Sequence, residues 1–384
     1  MARIHTAFLT VALLACLGCV STSEQLYRAL EAGDTAKARS LIRPSVAVNT
    51  RYLHGNTPLH IAALHGRDAE IELLLQNGAD VNARNQEGDT PLHDAALNLH
   101  IAAAELLIAR GADVNAADNG GRTPIFEVAR SGGLHLVTIL VGRGAIIAKT
   151  GLTPLNAAAG GTPHRGSRSH EELVRYFLDK GVDPNAQGSC GFCLGDCGCT
   201  ALHAAAFQAG KGVLSLLIER GAVVDARDPG GLTPLFHAAL GGNAEAAAFL
   251  IAKGADVHAR DKSGRTALHV AVRLNNLAGW GSNSEVVKLL LANGAEVNAR
   301  DGRECTPLHD AVFHIGAGFG KRWDNPDTVR ALLEGGADVA AKDRQGRTPL
   351  SLVATSLQQS SQPPTAEDKE ILRLLQEHAN RLPK

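Results

Sequence analysis

The sequence predicts an all-α repeat solenoid of about ten stacked helix pairs. Its main support is a four-residue phrase, Thr-Pro-Leu-His, which returns with variants along almost all of the 384 residues. The phrase and its variants begin at Thr57, Thr90, Thr123, Thr153, Thr200, Thr233, Thr266, Thr306 and Thr348. The commonest step between them is 33 residues. Such a period indicates units that bury their apolar faces only against their neighbours.

Each unit has the pattern of two short helices followed by a polar, turn-rich segment. In the unit at Thr57, the threonine can cap a helix, and Pro58 falls at the first helical position, where its missing N–H costs nothing. Apolar residues at helical spacing around Leu74 supply the buried stripe of the second helix. Gly78 stands where a helix end requires a left-handed residue, and residues 79–89 lead to the next unit.

This pattern resembles the ankyrin repeat, both in its Thr-Pro-Leu-His opening and in the Gly-Ala-Asp-Val-Asn-Ala close at residues 78–83 and 111–116. The resemblance implies antiparallel helix pairs joined by β-hairpin fingers, in a single solenoid over residues 26–380. Nine units follow a polar first unit that begins at Leu26. The resemblance also implies that the histidine of each phrase bonds near its own threonine, so these histidines are interpreted as structural.

The N-terminus predicts export and a lipid anchor. Residues 1–19 contain an apolar run that is too short to span a bilayer, which is typical of a cleaved signal peptide. Leu-Leu-Ala-Cys, ending at Cys16, resembles a bacterial lipobox, with Cys19 as an alternative lipidation site. Residues 20–25 form a polar tether. We therefore expect a periplasm-facing protein of the bacterial envelope, held to the membrane through this anchor alone.

Composition and motifs favour a binding protein over an enzyme. The net charge is −1 and no basic stripe is present, which argues against a nucleic-acid partner. The sequence lacks a nucleophile elbow, a phosphate loop, a paired-histidine zinc motif and a dinucleotide fingerprint. We expect a non-catalytic monomer that needs no cofactor and recognises a protein partner through a rigid surface.

Four insertions between the two helices of a unit are the clearest departures from a regular array. They cover residues 161–169, 275–284, 316–326 and 358–367. Two neighbouring insertions carry Trp280, Trp323 and Arg322, residue types that dominate binding hot spots, and Phe319 accompanies them. These loops either bind the partner or bury their own tryptophans. A second predicted surface, on the fingers and first helices, includes Phe207, Gln208, Arg265 and Arg273.

Four cysteines lie within ten residues of one extended finger: Cys190, Cys193, Cys197 and Cys199. An oxidising envelope favours two disulfides, either Cys190–Cys197 with Cys193–Cys199 or Cys190–Cys199 with Cys193–Cys197. A four-thiolate metal site and redox-active thiols are the alternatives, and either would make the finger a redox- or metal-responsive sensor. Cys305 belongs to a finger three units further on, so we expect it to be unpaired.

Overall fold

The fold is all-α and built of helix pairs, which confirms the predicted class. The computed structural model describes residues 21–147, 153–161, 167–188, 198–208, 210–273, 283–313, 326–359 and 363–380. These residues form twenty α-helices in ten consecutive pairs and contain no β-strand. Packing contacts divide the chain into two compact units, one of residues 1–124 with 142–145 and one of residues 125–141 with 146–384.

The helices have the following bounds. The first six are α1 (Thr22–Ala32), α2 (Thr35–Leu41), α3 (Pro58–Leu64), α4 (Asp68–Gln76), α5 (Pro91–Leu97) and α6 (Ile101–Ala109). The next eight are α7 (Pro124–Ser131), α8 (Leu134–Gly142), α9 (Pro154–Ala159), α10 (Ser167–Asp179), α11 (Ala201–Gln208), α12 (Lys211–Glu219), α13 (Pro234–Gly241) and α14 (Ala244–Ala252). The last six are α15 (Ala267–Arg273), α16 (Asn283–Ala292), α17 (Pro307–Val312), α18 (Pro326–Glu334), α19 (Pro349–Gln359) and α20 (Ala366–Ala379). A 3-10 turn, Leu53–Gly55, precedes α3.

The recurring phrase starts the first helix of a pair, as predicted. Thr57 is the extended N-cap residue of α3, and its amide donates to His60 Nδ1 at 3.2 Å. The other ring nitrogen, Nε2, lies 3.0 Å from the Asp89 carbonyl oxygen in the next finger. Equivalent pairs of bonds are made by His93, His203, His269 and His309. Each histidine therefore ties its own cap to the following finger, and the structural interpretation of these rings is confirmed.

Small residues let the first helices approach closely. Ala62 and Ala63 of α3 are fully buried, as is the larger Leu59 beside them. Between α11 and α13 the approach reaches the backbone, because a Cβ added at Gly241 would overlap the Phe207 carbonyl oxygen. The alanine-rich composition is thus a packing requirement of the stack.

The described fingers are tight turns, shorter than the two-stranded hairpins that the resemblance implied. In one finger the Asp228 amide donates to the Leu232 carbonyl at 3.0 Å, which closes the turn. The Lys262 amide of the next finger donates to the Gly230 carbonyl at 3.0 Å. These few turn bonds, and the isolated bridge between Gly188 and Cys199, do not make a strand ladder among the described residues.

Asparagines join the helix ends of successive pairs. The Asn82 side-chain amide donates to the Gly111 carbonyl at 3.1 Å, and Asn82 Oδ1 accepts the Asp113 amide at 2.8 Å. Gly78 and Gly111 have φ values of 85° and 92°, the left-handed conformation predicted for these helix ends. Asparagines at this position therefore satisfy backbone groups that have no partner within their own helix.

Candidate functional site

For the predicted loop surface, the structure describes only the helices on either side of the two loops. Trp280, Phe319, Arg322 and Trp323 lie outside the described residues. Their segments join α15 to α16 and α17 to α18, so both insertions do fall between the two helices of one pair. Phe313, the residue that follows α17, is 43% exposed and gives this edge one described apolar side chain.

The second predicted surface contains less free side-chain area than its sequence suggested. The Phe207 ring is only 8% exposed, so it offers a partner almost no surface. The Gln208 side chain is half-buried and donates to the Gly160 carbonyl oxygen. Arg273 ends α15, and its side chain lies outside the described part of the structure.

Arg265 closes its own finger. Its Nε and Nη2 atoms lie 2.8 and 2.7 Å from Asp261 Oδ2, and the side chain is 28% exposed. The same pairing, with the arginine four residues after the aspartate, occurs at Arg122–Asp118 and Arg347–Asp343. Burial alone would raise the pKa of the Asp343 carboxyl, but the hydrogen bonds from the arginine hold that pKa below its usual range. These arginines are first of all components of the fingers.

Four histidines of the phrase have lowered pKa values. Burial lowers the pKa of His60 to about 4, and burial together with neighbouring His237 lowers the pKa of His203 to about 4. Burial also lowers the pKa of His269 and of His309. Because both nitrogens of each ring already hold the repeat together, these rings are not placed for acid–base catalysis.

An acidic residue, Asp94, follows the phrase histidine His93 on α5. Burial and the neighbouring Asp89 and Glu87 raise the pKa of Asp94 well above its usual range. Asp94 Oδ2 is buried and has no hydrogen-bond partner among the described residues. The sequence marks the position, because only the units at Thr90 and Thr306 place an aspartate, Asp94 or Asp310, directly after the histidine slot, where other units have Ile61 or Ala157.

The cysteine finger is described at its ends. Cys190, Cys193 and Cys197 lie outside the described residues, so their disulfide and metal alternatives stay predictions. Gly188 and Cys199 form an isolated antiparallel bridge, with N···O distances of 2.7 and 2.8 Å. The Asn156 side-chain amide adds a bond to the Cys199 carbonyl at 2.8 Å, and Cys199 is buried. The closing end of the finger is therefore firmly fixed.

Cys305 is a buried free thiol, which confirms the prediction that it is unpaired. Burial, followed by the nearby carboxylates Asp301 and Asp310, raises the pKa of this thiol to about 11. A protonated, buried thiol is a poor nucleophile.

The predicted lipidation sites Cys16 and Cys19 also lie outside the described residues. Within the described ranges, no helix combines the length and the apolar character needed to cross a bilayer.

The repeat pattern agrees with a known family. The profile described as "Ankyrin repeats (3 copies)" matches residues 26–118, 167–261, 202–301, 260–343 and 277–380. The chain belongs to the ankyrin repeat family. Ankyrin repeats imply a scaffold for protein–protein interaction, and proteins of the family are generally non-enzymatic binding proteins.

Individual relatives match parts of this ankyrin-repeat chain. It is 41% identical over 87 residues to the human Ankyrin repeat and KH domain-containing protein 1, over 23% of the chain and 3% of that protein. It is 37% identical over 65 residues to Ankyrin repeat-containing protein P1E11.10 of Schizosaccharomyces pombe, over 17% of the chain and 28% of that protein. The chain thus spans only a small part of either relative. The solved human ASB11 ankyrin repeat domain is 29% identical, with a TM-score of 0.48, and the match covers 63% of this chain and 99% of that one.

Proposed function

We propose that this ankyrin-repeat protein binds a protein partner in the bacterial envelope without catalysing a reaction. The observation that carries this proposal is the use made of the repeated polar side chains. His60, Arg265 and their counterparts bond within their own unit or to the next finger. The repeated chemistry therefore maintains the scaffold, and specific recognition belongs to the places where the repeats differ.

The proposed contact surface is the edge formed by the loops that carry Trp280 and Trp323. Tryptophan and arginine are enriched among residues that dominate binding energy, and Arg322 accompanies Trp323 in its loop. The two loops belong to consecutive helix pairs, and Phe313 is an exposed aromatic residue where one of them begins. A partner that buries these aromatic groups gains much of its affinity from them.

Two uses of such a complex compete. In the first, the protein neutralises a secreted toxin at the periplasmic face of a membrane. In the second, it positions or protects an envelope enzyme. Both uses are consistent with a monomer attached through a lipidated Cys16, or Cys19, and neither requires a cofactor.

The first experiment is co-purification of the tagged mature protein from envelope extracts of its own host, with identification by mass spectrometry. One stoichiometric partner would support the proposal. A toxin encoded beside this gene would favour neutralisation, and an envelope enzyme would favour scaffolding. If no partner is recovered under either oxidising or reducing conditions, the proposal fails.

The surface is tested with the double variant Trp280→Ala/Trp323→Ala. It should weaken binding at least tenfold, about 1.4 kcal/mol, while the melting temperature stays nearly unchanged. The control is Val223→Ala, which removes an apolar side chain that is 54% exposed and lies outside this edge. A large fall in melting temperature with intact binding would instead identify the tryptophans as packing residues.

The fixed end of the cysteine finger supports a second candidate function, that of a redox- or metal-responsive sensor. Cys199 bonds to both Gly188 and Asn156, so a rearrangement of the finger would act on the helix pair that contains Asn156. A sensor requires that Cys193→Ser with Cys197→Ser change partner binding. A structural disulfide requires only that this variant lose stability.

A further inference from the structure

Three potential metal ligands of different chemistry meet in the second compact unit. Cys199, Asp228 and His237 each place one ligand atom within 4.8 Å of the other two. Cys199 ends the cysteine finger, Asp228 begins the turn of the next finger, and His237 lies on α13. The three residues therefore belong to two successive repeats, although 29 and 38 positions separate Asp228 and His237 from Cys199 in the sequence.

The histidine departs from the repeat pattern. In the phrase that begins at Thr233, Phe236 occupies the histidine slot, and His237 comes one position later. Thr233 Oγ1 is buried with no hydrogen-bond partner in the described part of the chain, whereas Thr57 Oγ1 lies 2.8 Å from His60. His237 instead directs Nε2 toward Asp228 Oδ2, at 3.3 Å.

The aspartate departs from the pattern too. The finger aspartates Asp118, Asp261 and Asp343 each bind an arginine four residues later through Oδ2. After Asp228 that position is Leu232, whose amide donates to Oδ1 at 2.8 Å. Oδ2 is thereby left to face the histidine instead of a guanidinium.

The backbone around the three ligands is already fixed. Cys199 is 1% exposed and is clamped by its bridge to Gly188. The neighbouring Gly198 has a φ of 63°, and a Cβ there would collide with Pro229, so the end of this finger lies against the next one. The His237 ring packs edge-to-face on the ring of His203, with centroids 4.9 Å apart. A prearranged set of ligands needs little reorganisation to bind.

We propose that Cys199, Asp228 and His237 form a zinc site that pins the cysteine finger to the next repeat. A thiolate, a carboxylate and an imidazole are the three ligand types that zinc accepts, at bond lengths of about 2.0–2.3 Å. A tetrahedron with such bonds separates its ligand atoms by about 3.3–3.8 Å, which lies inside the observed 4.8 Å limit. The fourth position is open to water.

The charges and protons of the site balance. On binding, the Cys199 thiol releases its proton to solvent and forms the Zn–S bond, and Asp228 binds through an existing lone pair. His237 binds as the neutral imidazole, so a proton on its ligating nitrogen moves to the other ring nitrogen. The thiolate and the carboxylate then offset the two positive charges of the ion, so that a nearly buried site carries no net charge. Asp228 is half-buried and provides the entry path.

This ligand set requires Cys199 as a thiolate, so it is an alternative to both disulfide pairings predicted from the sequence. It shares only Cys199 with the four-thiolate alternative, and the experiment separates the two. The full chain is reduced, stripped with a chelator and given one equivalent of Zn²⁺, in a background of Cys190→Ser, Cys193→Ser and Cys197→Ser. Bound zinc is counted by mass spectrometry, and Co²⁺ is used in parallel to detect the absorption of a cobalt–thiolate bond. We expect one zinc per chain and the thiolate band.

Three variants then remove one ligand each. His237→Ala and Asp228→Asn introduce residues that the chain itself uses at the equivalent positions, Ala204 and Asn85, so both should fold. Each of these two variants, and Cys199→Ser as the third, should weaken zinc binding by at least about 100-fold. Even the loss of an outer-shell contact to a metal ligand lowers affinity by about 10–100-fold. The matched controls Cys305→Ser and Asp261→Asn should leave the affinity unchanged.

Zinc should also raise the melting temperature of the parent chain but not that of His237→Ala, because the ion binds only the folded state. This measurement decides the matter even if Cys199→Ser does not fold. Retention of zinc by His237→Ala would overturn the proposal. So would zinc that is bound only when Cys190, Cys193 and Cys197 are present, because that result would assign the metal to the finger alone.

Discussion

Acid should destabilise this protein through its buried histidines, and His60 and His203 should contribute most. Both rings are buried, and each bonds through both nitrogens to its own threonine and to the next finger. Their folded-state pKa values are about 4, against 6.5 for a free ring. The unfolded chain therefore binds protons more readily than the folded chain.

The sign and size of the effect follow from this difference in pKa. A depressed histidine pKa gives stability that is fully present above pH 6.5 and is lost as pH falls toward 4. At 1.36 kcal/mol per pH unit, the interval from 6.5 to about 4 corresponds to a loss of about 3 kcal/mol for each ring. The loss is comparable with a large part of the stability of many domains.

The assay is urea unfolding, followed by circular dichroism, at several pH values across this interval. The test variant is His60→Asn/His203→Asn, because Asn156 already occupies the same slot and donates to the next finger at 2.8 Å. It should be less stable than the parent at neutral pH and should lose less stability on acidification. The control is His135→Asn, which makes the same change at an exposed position.

The reasoning is refuted if the double variant loses as much stability on acidification as the parent chain. Because repeat arrays can unfold in parts, the ring protons of His60 and His203 should also be titrated by NMR in the folded protein. A midpoint near 6.5 for either ring would show that burial does not hold it neutral.

Three further predictions concern stability and reactivity. Asp94→Ala should raise the free energy of unfolding at neutral pH by about 1–3 kcal/mol, since it removes a buried acceptor with no partner among the described residues. This increase in stability should be smaller in acid, where the carboxyl of Asp94 is neutral because its pKa is raised. Gly241→Ala should lower the free energy of unfolding by about 1–3 kcal/mol, because the added Cβ overlaps the Phe207 carbonyl oxygen. Gly142→Ala, at a helical glycine with open space around it, should leave that free energy unchanged or raise it by up to about 1 kcal/mol. Equal effects of the two variants in urea unfolding would contradict the packing argument. Cys305 should resist iodoacetamide at pH 8, because a thiol with a pKa of about 11 is about one thousandth ionised there; rapid alkylation of the folded protein, measured by mass spectrometry, would contradict the burial.

Much of the fold could be predicted from short segments, because the decisive bonds join neighbours in sequence. The capping contact of Thr57 with His60 spans three residues, and the helix end at Gly78 needs only a glycine with positive φ. The contact surface was harder to predict. Phe207 is only 8% exposed, and the helix of the next pair approaches its backbone so closely that a Cβ at Gly241 would overlap its carbonyl oxygen.

The sequence by itself determined the repeat period, the helix caps and the structural use of the recurring histidines, since each depends on side chains a few residues apart or on a register that every unit repeats. Only the tertiary structure brought Cys199, Asp228 and His237 within 4.8 Å, because they lie in different segments and each departure from the repeat pattern around them is separate. Such a convergence depends on how one finger is stacked on the next. The sequence pattern shows which positions depart from the repeat, and the packing of neighbouring repeats decides which of those positions lie close together.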